Sequence, residues 1–150
     1  MLNGRENPIA DKQIENTGFF GAINIGDFQK QRAIPLQIPL ELIESVLVYA
    51  IQSVEFDLNI VSQRYQKQGI KSVDDIQSPT INGKNFEKIL FEKAVFARAK
   101  QELLPEFATL SAREIHEQRD IVTEQKQLQA EAVQAIRQLK GKGRGTVDLI

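Results

Sequence analysis

Apolar residues return every three or four positions from Leu40 through Ile43, Leu47, Ala50, Val54, Leu58 and Val61 to Tyr65. That period predicts one amphipathic helix over 40–68. Pro39 suits its entrance, because a fixed φ and a missing amide are tolerated at a first helical position. Gly69 suits its exit, with Lys67 near the carbonyl end. Val46, Val48, Ile51 and Ile60 fall off the main stripe, so this helix is expected to be contacted on more than one side.

A second helix is predicted over 85–104. Phe86, Ile89, Leu90, Ala94, Phe96, Ala97, Leu103 and Leu104 cover half of its circumference, and Phe91, Val95 and Ala99 the other. A helix that is apolar nearly all round belongs at the centre of a fold. Pro105 is expected to kink or stop it. Ser111-Ala-Arg-Glu114 fits a capping box and so predicts a third helix over 112–140. At ~1.5 Å per residue that helix would reach ~42 Å, long enough to protrude or to join a bundle.

The connecting segments read differently. Residues 70–84 hold Ser78-Pro79 and Asn82-Gly83 and predict a loop with room for one helical turn. Residues 1–38 carry Gly4, Pro8, Gly18, Gly21, Gly26 and Pro35 without a sustained period, the pattern of an extended arm. The last ten residues predict a glycine hinge followed by one strand, Thr146, Val147, Asp148, Leu149 and Ile150. A lone strand is unstable in water. Its pairing edge would come from the N-terminal arm or from another subunit, since strand addition is a known mode of recognition. The expected fold is therefore all-α: a small bundle of three main helices, a helical domain over 39–140, an extended arm over 1–38, and a hinge with a short C-terminal β-strand tail over 141–150.

Composition narrows the function classes. The 150 residues suit one domain, with 41% hydrophobic and 26% charged residues, near globular averages. No apolar run approaches the ~18 residues needed to span a bilayer, and the polar start lacks a signal stretch, so no membrane contact and no export are expected. Cysteine is absent, which removes disulfides, thiolate metal sites and cysteine nucleophiles. A net charge of -1 exerts no global pull on nucleic acid.

Candidate chemistry is sparse. His116 is the sole histidine, so no histidine triad or multi-histidine metal site can form within one chain. Glu114, Glu117, Asp120 and Glu124 share a helix face, but Arg113, Arg119 and Lys126 interleave with them as in a solvated ion-paired surface. No catalytic residue, cofactor or metal site is expected. Lys93 and Lys100, seven apart on the central helix, either carry their ammonium groups out to solvent or make a charged contact across a subunit seam. Phe19-Phe20 form an apolar pair without a local core, and full docking of the two would contribute ~3 to 6 kcal/mol. Arg137, Lys140, Lys142 and Arg144 surround the hinge. They serve either a flexible connection or phosphate contacts with DNA.

Glu92-Lys-Ala-Val-Phe-Ala-Arg-Ala-Lys-Gln-Glu-Leu103, together with the closing Gly143-Arg-Gly-Thr-Val-Asp-Leu-Ile150, resembles the head-completion protein family of contractile-tailed temperate phages. Gly18-Phe19, Gly26-Asp27-Phe28 and the Ile38-Pro39 helix entry are similar in order and spacing, and the resemblance spans residues 16–150. It implies a virion component assembled in the host cytoplasm: a connector that binds the portal protein as a dodecameric homo-oligomeric ring after packaging. It also implies a docking surface for a tail terminator or tail completion protein, and a contact with packaged DNA. The residues expected at interfaces, read from the chain itself, are Phe19, Phe20, Phe28, Lys93, Lys100, Thr146, Val147, Leu149 and Ile150. A DNA-binding helical module using Arg137, Lys140, Lys142 and Arg144 is the alternative reading, and a small helical enzyme the least supported.

Overall fold

The computed structural model describes residues 9–114 and 120–141, with side chains as far as residue 110 in the first segment. The fold is mostly helical but not all-α, and it has five α-helices among the described residues where three main ones were expected. Two short antiparallel ladders accompany them: β1 (Gln13–Ile14) with β2 (Ile23–Asn24), and β3 (Thr80–Ile81) with β4 (Lys84–Asn85). The helices are α1 (Ile25–Gln31), α2 (Leu40–Asp57), α3 (Asn59–Lys67), α4 (Phe86–Glu114) and α5 (Ile121–Leu139). No helix among them is long and apolar enough to cross a membrane.

The expected extended arm is a folded part of the core over 13–38. After β2, the Asn24 side chain accepts from the Asp27 amide at 3.0 Å and caps α1. At seven residues this helix is too short to reveal a period in the sequence. Phe20, Ile23, Ile25 and Phe28 are fully buried, and Ile34 and Ile38 nearly so. The Phe20 ring stacks on Phe91 of α4 with centroids 4.7 Å apart, and Phe19 stacks on Tyr65 of α3 at 5.5 Å. The pair thus finds its docking site within its own chain.

The predicted helix 40–68 is present with one break. Leu58 leaves helical geometry (φ −101°, ψ 11°) between α2 and α3, and its carbonyl accepts from both the amide and the hydroxyl of Ser62. Such back-bonding bends helices. Gly69, at φ +88°, terminates α3 as expected. In the 70–84 segment the one helical turn is a 3-10 turn at Val73–Asp75. Asn82-Gly83, both at positive φ, turn β3 into β4 as a two-residue hairpin, which the loop reading missed.

Around α4 the core closes. Phe91, Ala94, Val95, Phe96, Ala97, Ala99, Leu103 and Leu104 are buried, and α2 and α5 pack along the helix. The small alanines let the neighbouring helices approach. Two predicted boundaries are corrected. α4 passes through Pro105 and does not stop there, and Ser111-Ala-Arg-Glu114 lie inside it, so they do not open a new helix. α5 starts at Ile121, where Asp120 supplies the cap by accepting from the Thr123 amide at 3.0 Å. It faces the core with Leu128, Ala132, Ala135, Ile136 and Leu139. His116, Glu117 and the residues beyond Gly141, including the expected strand, lie outside the described residues.

Candidate functional site

The N-terminal segment is fastened by polar side chains inside the body. Lys88, 7% exposed, donates from Nζ to the carbonyls of Phe20 at 2.7 Å and Ala22 at 2.5 Å, with the Phe91 ring 5.4 Å away. Its pKa lies below the ordinary lysine value because burial disfavours the charge, an effect that Glu92 partly opposes. Glu55 of α2 accepts from the Asn16 amide group at 2.8 Å and from the Phe20 N–H at 3.3 Å. Asn85 donates to the carbonyls of Val73 and Ile76 and accepts from the Lys88 amide. Lys84 bridges Asp27 and Glu92, both at 2.9 Å. Burial pulls the Lys84 pKa down, but the two carboxylates outweigh it and the net shift is upward. Each of these groups is consumed in positioning backbone or in holding neighbouring elements together.

The outside of the body is where unsatisfied surface remains. Along α2 and into α3, Tyr49 and Phe56 are each 79% exposed and Ile60 74%, with Val48 beside them. A shallow groove lined by Val48, Tyr49, Gln52, Ser53, Phe56 and Asp57 runs along this face. A second groove of about 290 Å³ continues from Tyr49 between α2, α4 and α5, reaching Arg98, Gln129 and Val133. Arg98 is held there by Ser53 and by Asp57 at 2.6 Å. Elsewhere the β3–β4 turn leaves Ile81 exposed above a groove shared with Arg32, Ile89 and Lys93. Among the described residues no group of three or more His, Cys, Asp or Glu is placed to hold a metal ion. The arrangement is suited to contact with other proteins.

Residues 14–150 match the family described as phage head completion protein (GPL). The chain belongs to that family. It is also 57% identical over 150 residues, the whole of both chains, to a "Probable head completion/stabilization protein" of Haemophilus phage HP1 (strain HP1c1). No solved structure matches it. For a head completion protein, exposed apolar surface on a helical body is the feature to follow, because the family is structural.

The residues singled out from the sequence fall in four groups in this head completion protein. Phe19, Phe20 and Phe28, expected at an interface, are buried in the chain's own core, Phe19 and Phe20 stacked on Tyr65 and Phe91 and Phe28 in a tilted contact with the Phe96 ring. Lys93 is exposed at the rim of the β3–β4 groove, and Lys100 is half-buried with its ammonium 5.7 Å from the Phe107 ring. Arg137 is half-buried in the last turn of α5 and Lys140 exposed just after it. Lys142, Arg144, Thr146, Val147, Leu149 and Ile150 lie outside the described residues.

Sequence reasoning passed over Lys88, Glu55 and the aromatics Tyr49 and Phe56. The last two carried a readable signal, large aromatic side chains on the polar side of an amphipathic helix. Val48 and Ile60, noted as off the stripe, are exposed on that same side, whereas Ile51 is covered by the core. For Lys88 and Glu55 the sequence holds no signal, since their carbonyl and amide partners lie 35 to 68 positions away.

Proposed function

We propose that the chain is a structural virion protein that completes the phage head. It binds the portal protein as a dodecameric ring once DNA is packaged, retains that DNA, and presents a docking surface to a tail terminator or tail completion protein. Assembly takes place in the host cytoplasm. The carrying observation is the 57% identity, over the full length of both chains, to a probable head completion/stabilization protein. Two features support the reading: a helical body with a rigidly fastened N-terminal segment, and exposed aromatic surface that a solitary protein has little reason to keep. In this reading Thr146, Val147, Leu149 and Ile150 pair with an edge on a neighbour, Lys93 and Lys100 sit at subunit seams, and Arg137, Lys140, Lys142 and Arg144 contact the exiting DNA.

The test uses DNA-filled heads made without this protein. Adding the full chain should protect the DNA from nuclease and allow purified tails to attach. A chain truncated after Gly145 should keep its helical circular dichroism yet fail in both assays. Equal DNA loss with and without the full chain would reject the reading.

A further inference from the structure

We infer that the exposed apolar face of α2 is the seat for the β3–β4 hairpin of a second copy of this chain, so that each copy uses two different surfaces. This rests on the ring reading and specifies its contacts.

The first argument is charge. α2 carries Glu41, Glu44, Glu55 and Asp57 and no lysine or arginine; the first basic side chain beyond it is Arg64 of α3. Glu44, Glu55 and Asp57 are engaged within the chain, by Lys12, by the 16–20 turn and by Arg98. Glu41 is exposed, with no ion pair among the described residues, and it lies two turns before Val48 on the same side of the helix. It is therefore an unspent negative charge on the side of α2 that leads into the groove. The hairpin face has the opposite sign to offer. Lys93 is exposed there without an ion pair among the described residues, while the carboxylates Asp27 and Glu92 of that groove are already bonded to Lys84.

The second argument is geometry. The α2 groove and the hairpin groove share no lining residue, so one copy can use both at once. Contact between two such different surfaces is head-to-tail, the kind that closes rings. Ile81 stands exposed beside the tight Asn82-Gly83 turn, an apolar projection on one copy that the apolar lining of Val48, Tyr49 and Phe56 on another can cover.

The chain contains no cysteine, so introduced thiols report cleanly. Phe56→Cys and Ile81→Cys combined in one full-length chain should give, on mild oxidation, a ladder of disulfide-linked multiples of 16.9 kDa. Neither single variant should. Glu41→Lys should weaken association between copies by about 10-fold with unchanged helical circular dichroism, and adding Lys93→Glu to the same chain should restore it. A Phe56→Cys dimer would indicate two-fold pairing and overturn the inference, as would absence of a ladder from the double variant. Heads that still retain DNA without a ladder would leave the head-completion reading standing. A ladder beside heads that lose their DNA would support this contact and sink that reading.

Discussion

The ammonium of Lys88 meets the carbonyl oxygen of Phe20 at 2.7 Å across 68 positions of sequence, and so ties the N-terminal segment to the first turns of the central helix. The same ammonium takes the Ala22 carbonyl, which closes the chain between Phe20 and β2 over a buried charge. Replacing Lys88 by Met keeps the stem and removes both donors. Two charge-assisted bonds are lost and the burial of a charge is relieved, a net destabilisation of about 2 kcal/mol. Tm should fall by about 4–8 °C in thermal unfolding. An unchanged Tm would show that the segment is held by its aromatic stacks alone.

Alkaline titration separates Lys88 from Lys84. The folded pKa of Lys88 is lowered from 10.5 by burial, so the unfolded chain binds that proton more tightly and stability rises as pH climbs from the lowered value towards 10.5. For Lys84 burial is the largest single influence and acts downward, but the hydrogen bonds to Asp27 and Glu92 together outweigh it and the folded pKa is raised. Its contribution is present in full below 10.5 and fades as pH rises through the raised value. Against the wild type, Lys88→Met should lose the alkaline gain. Lys84→Met should be weaker below pH 10.5 and converge with the wild type as pH rises through the raised value. Urea midpoints measured across that range decide both.

Gly26 sits in ordinary helical geometry, and its requirement is for space. A Cβ there would come 2.5 Å from the Ala10 carbonyl oxygen, a backbone atom that cannot rotate away. Gly26→Ala should destabilise by about 1–3 kcal/mol and expose the Ile25 amide, which donates to the Lys12 carbonyl, to faster hydrogen exchange. Gly69→Ala meets open space but a φ of +88°, and should cost about 1 kcal/mol without disturbing that amide.

Pro105 is exposed within α4 and lacks the amide that would donate to the Gln101 carbonyl. Pro105→Ala should restore the bond and stabilise the helix by about 1–3 kcal/mol. Thermal unfolding and exchange rates over 101–110 test this, and a lower Tm would mean that the proline shapes the chain in a way the alanine cannot.

The stripe from Leu40 to Tyr65 and the all-round apolar character of 86–104 were legible because each runs for several turns, enough for a period to rise above chance. The helix at Ile25–Gln31 was not, since two turns carry too few apolar positions and its glycine reads as punctuation. Ser111-Ala-Arg-Glu114 resembled a start signal, yet a capping box acts only where the preceding backbone has left the helix, and here α4 continues through it. The exposed aromatics of α2 could be seen as odd from the sequence. That no other described element covers them is a matter of packing.

What the sequence determined by itself is the helical class, the central position of residues 86–104 and the absence of cysteine chemistry, because these follow from local periodicity and composition. The tertiary structure decided that Phe19, Phe20 and Phe28 belong to the chain's own core, that Lys88 spends its charge on two backbone carbonyls, and that Tyr49, Phe56 and Ile60 remain outside. Those outcomes depend on which distant surfaces meet, and burial energy is settled by that meeting and not by neighbours along the chain.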